Sequence, residues 1–180
     1  TFDFYDDFNS GTLDTNLWST SITAGGAVNV DNGALNISMI TTGGGTAKAM
    51  TTTQFGTNMT VDMLARVRYQ GSYDYNIFLI NLYGGWLLQQ HHAVAGDYWM
   101  VGSVSVITES VTTDVWYYVK VVANDTNLSL YVNDTLKGSS PIYNTTTSLE
   151  PQAYIPDASW DDVSHEQYDW IREAKYVEIK

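Results

Sequence analysis

No cysteine occurs among the 180 residues, so disulfide staples and thiolate metal sites are both excluded. Basic residues are also scarce: eight Lys and Arg stand against twenty Asp and Glu, for a formal charge of −12. That balance excludes nucleic acid, whose phosphates demand a basic face. It equally disfavours electrostatic attachment to an anionic membrane. Apolar runs are short, and none approaches the roughly 20 residues of a membrane-spanning helix. Residues 1–15 lack the basic start and apolar stretch of a signal peptide, so an exported protein is expected to be represented here by its mature form or by one domain of it. Helical periodicity is missing too. The best helical candidate, residues 161–174, opens with acids but carries Val163, Tyr168, Trp170 and Ile171 in no clean 3.6-residue period.

What is present is strand after strand. Val28-Asn29-Val30, then Asp31-Asn32-Gly33, then Ala34-Leu35-Asn36-Ile37 reads as a hairpin, because Asn-Gly satisfies the positive φ angles of a type I′ turn. Alternating or apolar runs follow at residues 59–69, 75–83, 86–92, 98–107, 115–122 and 128–132. Gly43-Gly44-Gly45, Gly84-Gly85, Asn124-Asp125 and Asn133-Asp134 are among the turn clusters that separate them. This spacing predicts a single all-β domain over residues 1–180, a two-sheet antiparallel β-sandwich.

Six of the twelve asparagines sit in Asn-x-Ser/Thr sequons: Asn36, Asn58, Asn124, Asn127, Asn133 and Asn144. Composition alone would supply roughly two, so the excess points to export and a glycan coat, and an extracellular or cell-surface location is expected.

Three stretches carry a resemblance. Asp6-Asp7-Phe8-Asn9-Ser10-Gly11-Thr12-Leu13-Asp14, followed by Trp18, resembles the first strand and turn of concanavalin A-like jelly rolls. Val115-Trp116-Tyr117-Tyr118-Val119-Lys120-Val121 and Asn127-Leu128-Ser129-Leu130-Tyr131-Val132-Asn133 resemble the strand pair of laminin-G-like domains, with Asp134 where a glycine is usual. Tyr168-Asp169-Trp170-Ile171-Arg172 is similar to the closing strand that such modules pair beside their first. The resemblance implies a jelly roll of two curved sheets, about six or seven strands each, with the terminal strands adjacent.

Laminarinase-type glycosidases of this fold carry Glu-x-Asp-x-x-Glu on one strand, which sets two carboxyls ~5 Å apart for a retaining mechanism. Glu109, Glu150, Glu166, Glu173 and Glu178 show no such spacing. An aspartate pair drawn from loops, with Asp157, Asp161 and Asp162 as members, is the remaining catalytic alternative. His91 and His92 are adjacent and so face opposite sides of a strand. His165-Glu166 lacks a second histidine at helical spacing, and no Gly-x-Ser-x-Gly elbow occurs. The expectation is therefore that the protein is not an enzyme.

Residues 69–100 concentrate aromatics with amides and imidazoles, a mixture suited to stacking on sugar rings and bonding their hydroxyls. The expected glycan site is Tyr73, Tyr75, Asn76, Trp86, Gln90 and His92, while Trp18, Trp116 and Trp170 are expected in the core. If the termini pair, Asp6 and Asp7 converge with Asp157, Asp161 and Asp169, and Ca2+ is the ion such hard oxygen ligands would take. Two functional expectations result. One is a non-catalytic extracellular module adhering through weak glycan binding. The other is a structural subunit that assembles with copies of itself into a filament, sheath or coat through terminal-strand contacts.

Overall fold

The computed structural model describes residues 2–41, 44–69, 75–82, 85–91, 98–102, 104–108, 112, 114–155 and 162–175. Every regular element among them is a strand. In chain order they are β1 (Phe4–Asp6), β2 (Trp18–Ile22), β3 (Gly26–Asp31), β4 (Ala34–Thr41), β5 (Gly45–Thr51) and β6 (Phe55–Gly56). Next come β7 (Met59–Tyr69), β8 (Tyr75–Leu82), β9 (Gly85–His91), β10 (Tyr98–Val101), β11 (Val104–Thr108) and β12 (Tyr117–Ala123). The last five are β13 (Asn127–Val132), β14 (Thr135–Pro141), β15 (Thr146–Thr147), β16 (Glu150–Ile155) and β17 (Asp162–Lys175).

They form two large antiparallel sheets, as the all-β spacing predicts. One has eight strands in the order β14-β13-β12-β7-β17-β4-β3, with β1 also paired to β17. The other has seven, in the order β11-β10-β9-β8-β16-β5-β2, and a small β15-β6 pair stands apart. The expected hairpin joins β3 to β4, with Asn32 and Gly33 at φ 52° and 73°. Asn133 and Asp134 turn β13 into β14 at φ 48° and 61°, so aspartate takes the left-handed position where the resembling domains have glycine. The Asn133 side chain anchors this turn by accepting the Tyr118 backbone N–H at 3.0 Å.

First and last strands do pair: Phe4 lies opposite Glu173, and Asp6 opposite Ile171. Residues 162–175, without a helical period in the sequence, form the longest strand. It runs between β7 on one side and β4 then β1 on the other. The core fills the space between sheets with Leu35, Ile37 and Met39 of β4, Met59 and Met63 of β7, and Ala47, Ala49, Ala153 and Ile155 from the facing sheet. Each alternates along its strand with a residue on the outer side, as the period of two requires.

Trp18 is in the core at 1% exposure, as expected, but Trp116 and Trp170 are not. Between Tyr168 and Trp170 the pairing of β17 with β7 shifts register. The extra residue reverses the side-chain parity, so Tyr168 is sealed inside and Trp170 comes out half-buried on the outer face. Tyr168 donates its phenolic hydrogen to Glu166 Oε2 at 2.5 Å within the core. Trp116 precedes β12 in phase with Tyr118 and Lys120, which alternate with the buried Val119 and Val121.

On that outer face Tyr118 donates to Asp62 Oδ1 at 2.5 Å, and Arg172 Nε reaches Asp62 Oδ2 at 3.1 Å. Burial first, then the bond to the Asp62 carboxylate, pushes the Tyr118 phenol up to about 12 from its ordinary 10.0. A raised acid pKa means that the folded state holds its proton more tightly. Its stabilising effect is complete below pH 10 and is lost as pH rises from 10 through 12. Alkaline unfolding monitored by circular dichroism should show this loss in the wild type, and Tyr118→Phe should lack that component. Equal pH dependence in both proteins would contradict the assignment.

Candidate functional site

The outer face of the seven-stranded sheet is built where β5 and β16 run side by side. Ala47 and Ala49 of β5, and Ala153 and Ile155 of β16, point into the core, so the alternate residues Lys48, Glu150 and Tyr154 face outward and are half-buried. Gln152, opposite Lys48 in the register, shares their parity and is 6% exposed. The Lys48 ammonium crosses to Glu150 Oε2 at 3.1 Å, with the two side chains 25% and 21% exposed. An ion pair this accessible contributes only about 0–1 kcal/mol to stability. Its more telling property is its place, a carboxylate and an ammonium held together across two neighbouring strands of a sheet face.

Beyond β16 the backbone register continues across β8, β9 and β10. Glu150 pairs with Asn81 and Asn81 with Trp86, a row across β16, β8 and β9. A second row, Asn76, Gln90 and Tyr98, crosses β8, β9 and β10. Leu88 is paired with the half-buried Met100, which alternates with the buried Trp99 and Val101.

Of the residues expected in a glycan site, Asn76, Trp86 and Gln90 fall in these rows, and Tyr75 pairs with His91 at their end. Tyr73 and His92 lie outside the described residues. Lys48, Glu150, Gln152 and Tyr154 were not anticipated. Lys48 and Glu150 are 102 positions apart, and the one sequence signal for either is the alternation Ala47-Lys48-Ala49.

Strand direction adds a further feature. Tyr75 begins β8, Tyr98 begins β10 and Ile155 ends β16, and the antiparallel order sets these three strand ends at the same end of the sheet. In the sequence Asp74 adjoins Tyr75, Asp97 adjoins Tyr98, and Asp157 follows Ile155 by two. Glu150 starts β16, five residues and so about 17 Å from that end.

The acids proposed for calcium behave differently. Asp6 uses both oxygens internally, accepting the Phe8 backbone N–H at 2.8 Å and the Trp18 indole N–H at 2.7 Å. Hydrogen bonds from Asn9 hold the Asp7 carboxyl below its ordinary range. Asp157 and Asp161 lie outside the described residues, and among the described residues no three His, Asp or Glu side chains converge on a common point. Five sequon asparagines, Asn58, Asn124, Asn127, Asn133 and Asn144, are exposed. Asn36 is half-buried on an outer sheet face, alternating with the fully buried Leu35 and Ile37.

No family model and no curated protein sequence matches the chain. Solved structures do. A glycosyl hydrolase family protein from Mycobacterium fortuitum superposes with a TM-score of 0.72 at 12% identity, over 97% of this chain and 100% of that one. The catalytic domain of an endo-1,3-beta-glucanase (laminarinase) from Thermotoga petrophila gives 0.71 at 11% identity over 98% of both chains. A Mycobacterium tuberculosis protein described as a pseudo beta-1,3-glucanase gives 0.69 at 12% identity, over 97% of this chain and 98% of that one. At such identities the likeness is one of fold, a jelly-roll β-sandwich of the concanavalin A-like kind.

These neighbours correct two expectations. The expectation of a non-catalytic adhesion module, with a self-assembling coat subunit as its alternative, is corrected by these neighbours, among them glycoside hydrolases and β-glucanase catalytic domains. The expectation that the protein is not an enzyme falls with it. Both rested on the missing Glu-x-Asp-x-x-Glu, a test that looks along one strand. Carboxylates contributed by several strands escape it.

Proposed function

We propose that the chain is a glycan-processing enzyme that hydrolyses a neutral β-glucan on the outer face of the seven-stranded sheet. The observation that carries this reading is the Lys48–Glu150 pair on the outer face of the seven-stranded sheet, on a fold shared along its length with glucanase catalytic domains, beside strands β8, β9 and β10 whose sequence supplies amides and aromatics. Sugar hydroxyls are met by amides, the ammonium and the Glu150 carboxylate, while aromatic surface takes the ring faces. Glycosidic hydrolysis needs two carboxyls roughly 5–10 Å apart. Glu150 stands about 17 Å from the end of the sheet marked by Tyr75, Tyr98 and Ile155, and its role in this reading is to position the substrate. The candidates for the reacting pair are the three aspartates that adjoin these strand ends in the sequence, Asp74, Asp97 and Asp157. The sequon load supports a secreted, glycosylated protein.

Isotope-labelled protein titrated with a β-1,3-gluco-oligosaccharide tests the location by nuclear magnetic resonance. Shifts are expected at Lys48, Glu150 and Tyr154, and Glu150→Gln should weaken binding about tenfold, as loss of a charged hydrogen bond does. Shifts confined to the eight-stranded sheet would overturn the placement.

A further inference from the structure

The eight-stranded sheet also has an outer face, and the proposed hydrolysis makes no use of it. Three cross-strand rows order it. Asn36, Gln167 and Arg66 form the first, with Trp116 beside Arg66; Trp170, Leu64 and Tyr118 form the second; Arg172, Asp62, Lys120 and Tyr131 form the third. Although the chain carries −12, four of its eight Lys and Arg, namely Arg66, Arg68, Lys120 and Arg172, project from this one face. Three of them meet carboxylates: Arg68 with Asp114 at 3.0 Å, Lys120 with Asp134 at 3.5 Å and Arg172 with Asp62 at 3.1 Å.

Arg66 is the exception. Its Nε donates to the neutral Gln167 Oε1 at 2.7 Å, Gln167 donates onward to Asn36 Oδ1, and the guanidinium lies 4.4 Å from the Trp116 ring centroid. No carboxylate pairs with it among the described residues. A planar cation fixed by an amide on one edge and an indole on its face, with its charge unneutralised, is preorganised for a planar or tetrahedral anion held by two hydrogen bonds. Around it the half-buried rings of Trp116, Tyr118 and Trp170 supply flat surface for sugar rings.

We infer that this face binds an acidic polysaccharide, its carboxylate or sulfate groups on Arg66 and its rings against the neighbouring aromatics. The two sheets then have separate tasks: one processes a neutral glycan, the other attaches the protein to an anionic one. The inference stands without the hydrolysis, since none of its residues belongs to the seven-stranded sheet. Three of the four cations are offset by carboxylates of the same face, so the attachment rests on Arg66 and the aromatics around it.

The test is affinity electrophoresis of the whole chain through gels containing polygalacturonate or dextran sulfate, which separate the carboxylate from the sulfate source. Wild type should be retarded by at least one of them. Arg66→Gln and Trp116→Ala should each weaken that retardation about fivefold or more, Arg66→Lys should fall between, and Lys48→Gln, on the other sheet, should match wild type. If Arg66→Gln fails to fold, Arg66→Lys decides. Absence of retardation by both polymers, unchanged binding in the Arg66 variants, or an equal loss in Lys48→Gln would each overturn the inference.

Discussion

Trp18→Ala is expected to destabilise the fold by about 3–5 kcal/mol, the range for deleting a large buried aromatic side chain. Trp18 is 1% exposed, with Phe4 edge-on at 5.3 Å and Phe8 at 6.0 Å. Its indole N–H donates to Asp6 Oδ2, while Asp6 Oδ1 accepts the Phe8 N–H. Strand β1 has three residues and pairs with β17 alone, so the aromatic cluster and the Asp6 bonds are what fasten the N-terminal segment to the sandwich. Truncation opens a cavity lined by Phe4 and Phe8 and strips a partner from a carboxylate. Against a usual total of about 5–15 kcal/mol, such a loss is about a fifth or more of the whole. Trp18→Phe keeps most of the packing and should cost about 1.5–3 kcal/mol, the worth of a hydrogen bond to a charged group. Urea melts compared at unchanged slope provide the measurement, and a Trp18→Ala loss under 1 kcal/mol would show that this cluster does not hold the terminus.

Replacing Asp74, Asp97 and Asp157 together by asparagine is expected to lower glucan hydrolysis about a thousandfold while leaving the fold and oligosaccharide binding in place. The sizes differ because the roles differ. A general acid or base acts in the transition state and is worth about 10^2–10^4 in rate, whereas a positioning group such as Glu150 acts mainly on binding. Glu150→Gln should therefore raise KM more than it lowers kcat. Single Asp→Asn variants then identify the reacting pair. A triple variant with wild-type turnover would remove these acids from the mechanism.

The hairpin at Asn32-Gly33 and the strand alternation were legible in the sequence, because each depends on local chemistry or on period, whereas the pairing of first and last strands came from the resemblance to concanavalin A-like jelly rolls. Trp170 was not legible, since a single extra residue at the register shift in β17 moves it from the inner to the outer face. Nothing local distinguishes that strand from an unbroken one. Trp116 was misread for a related reason: an aromatic on a half-buried face has the composition of a core residue, and its partner Arg66 is distant in the chain. The Lys48–Glu150 pair joins positions 102 apart and has no motif. Likewise Asp74, Asp97 and Asp157 are scattered in the sequence, and only strand order shows that the elements they adjoin, β8, β10 and β16, have those termini at one end of the sheet. Of the acids expected at a calcium ion, Asp6 accepts an indole N–H and a turn N–H, an engagement that no residue spacing announced, and Asp157 and Asp161 lie outside the described residues.

The most direct measurement of the central claim is the release of reducing ends from a neutral β-1,3-glucan by the purified wild-type chain, followed over time beside the triple aspartate variant. The account predicts steady release by the wild type and almost none by the variant. No release by the wild type from β-1,3-glucan or from any other neutral β-glucan would contradict it.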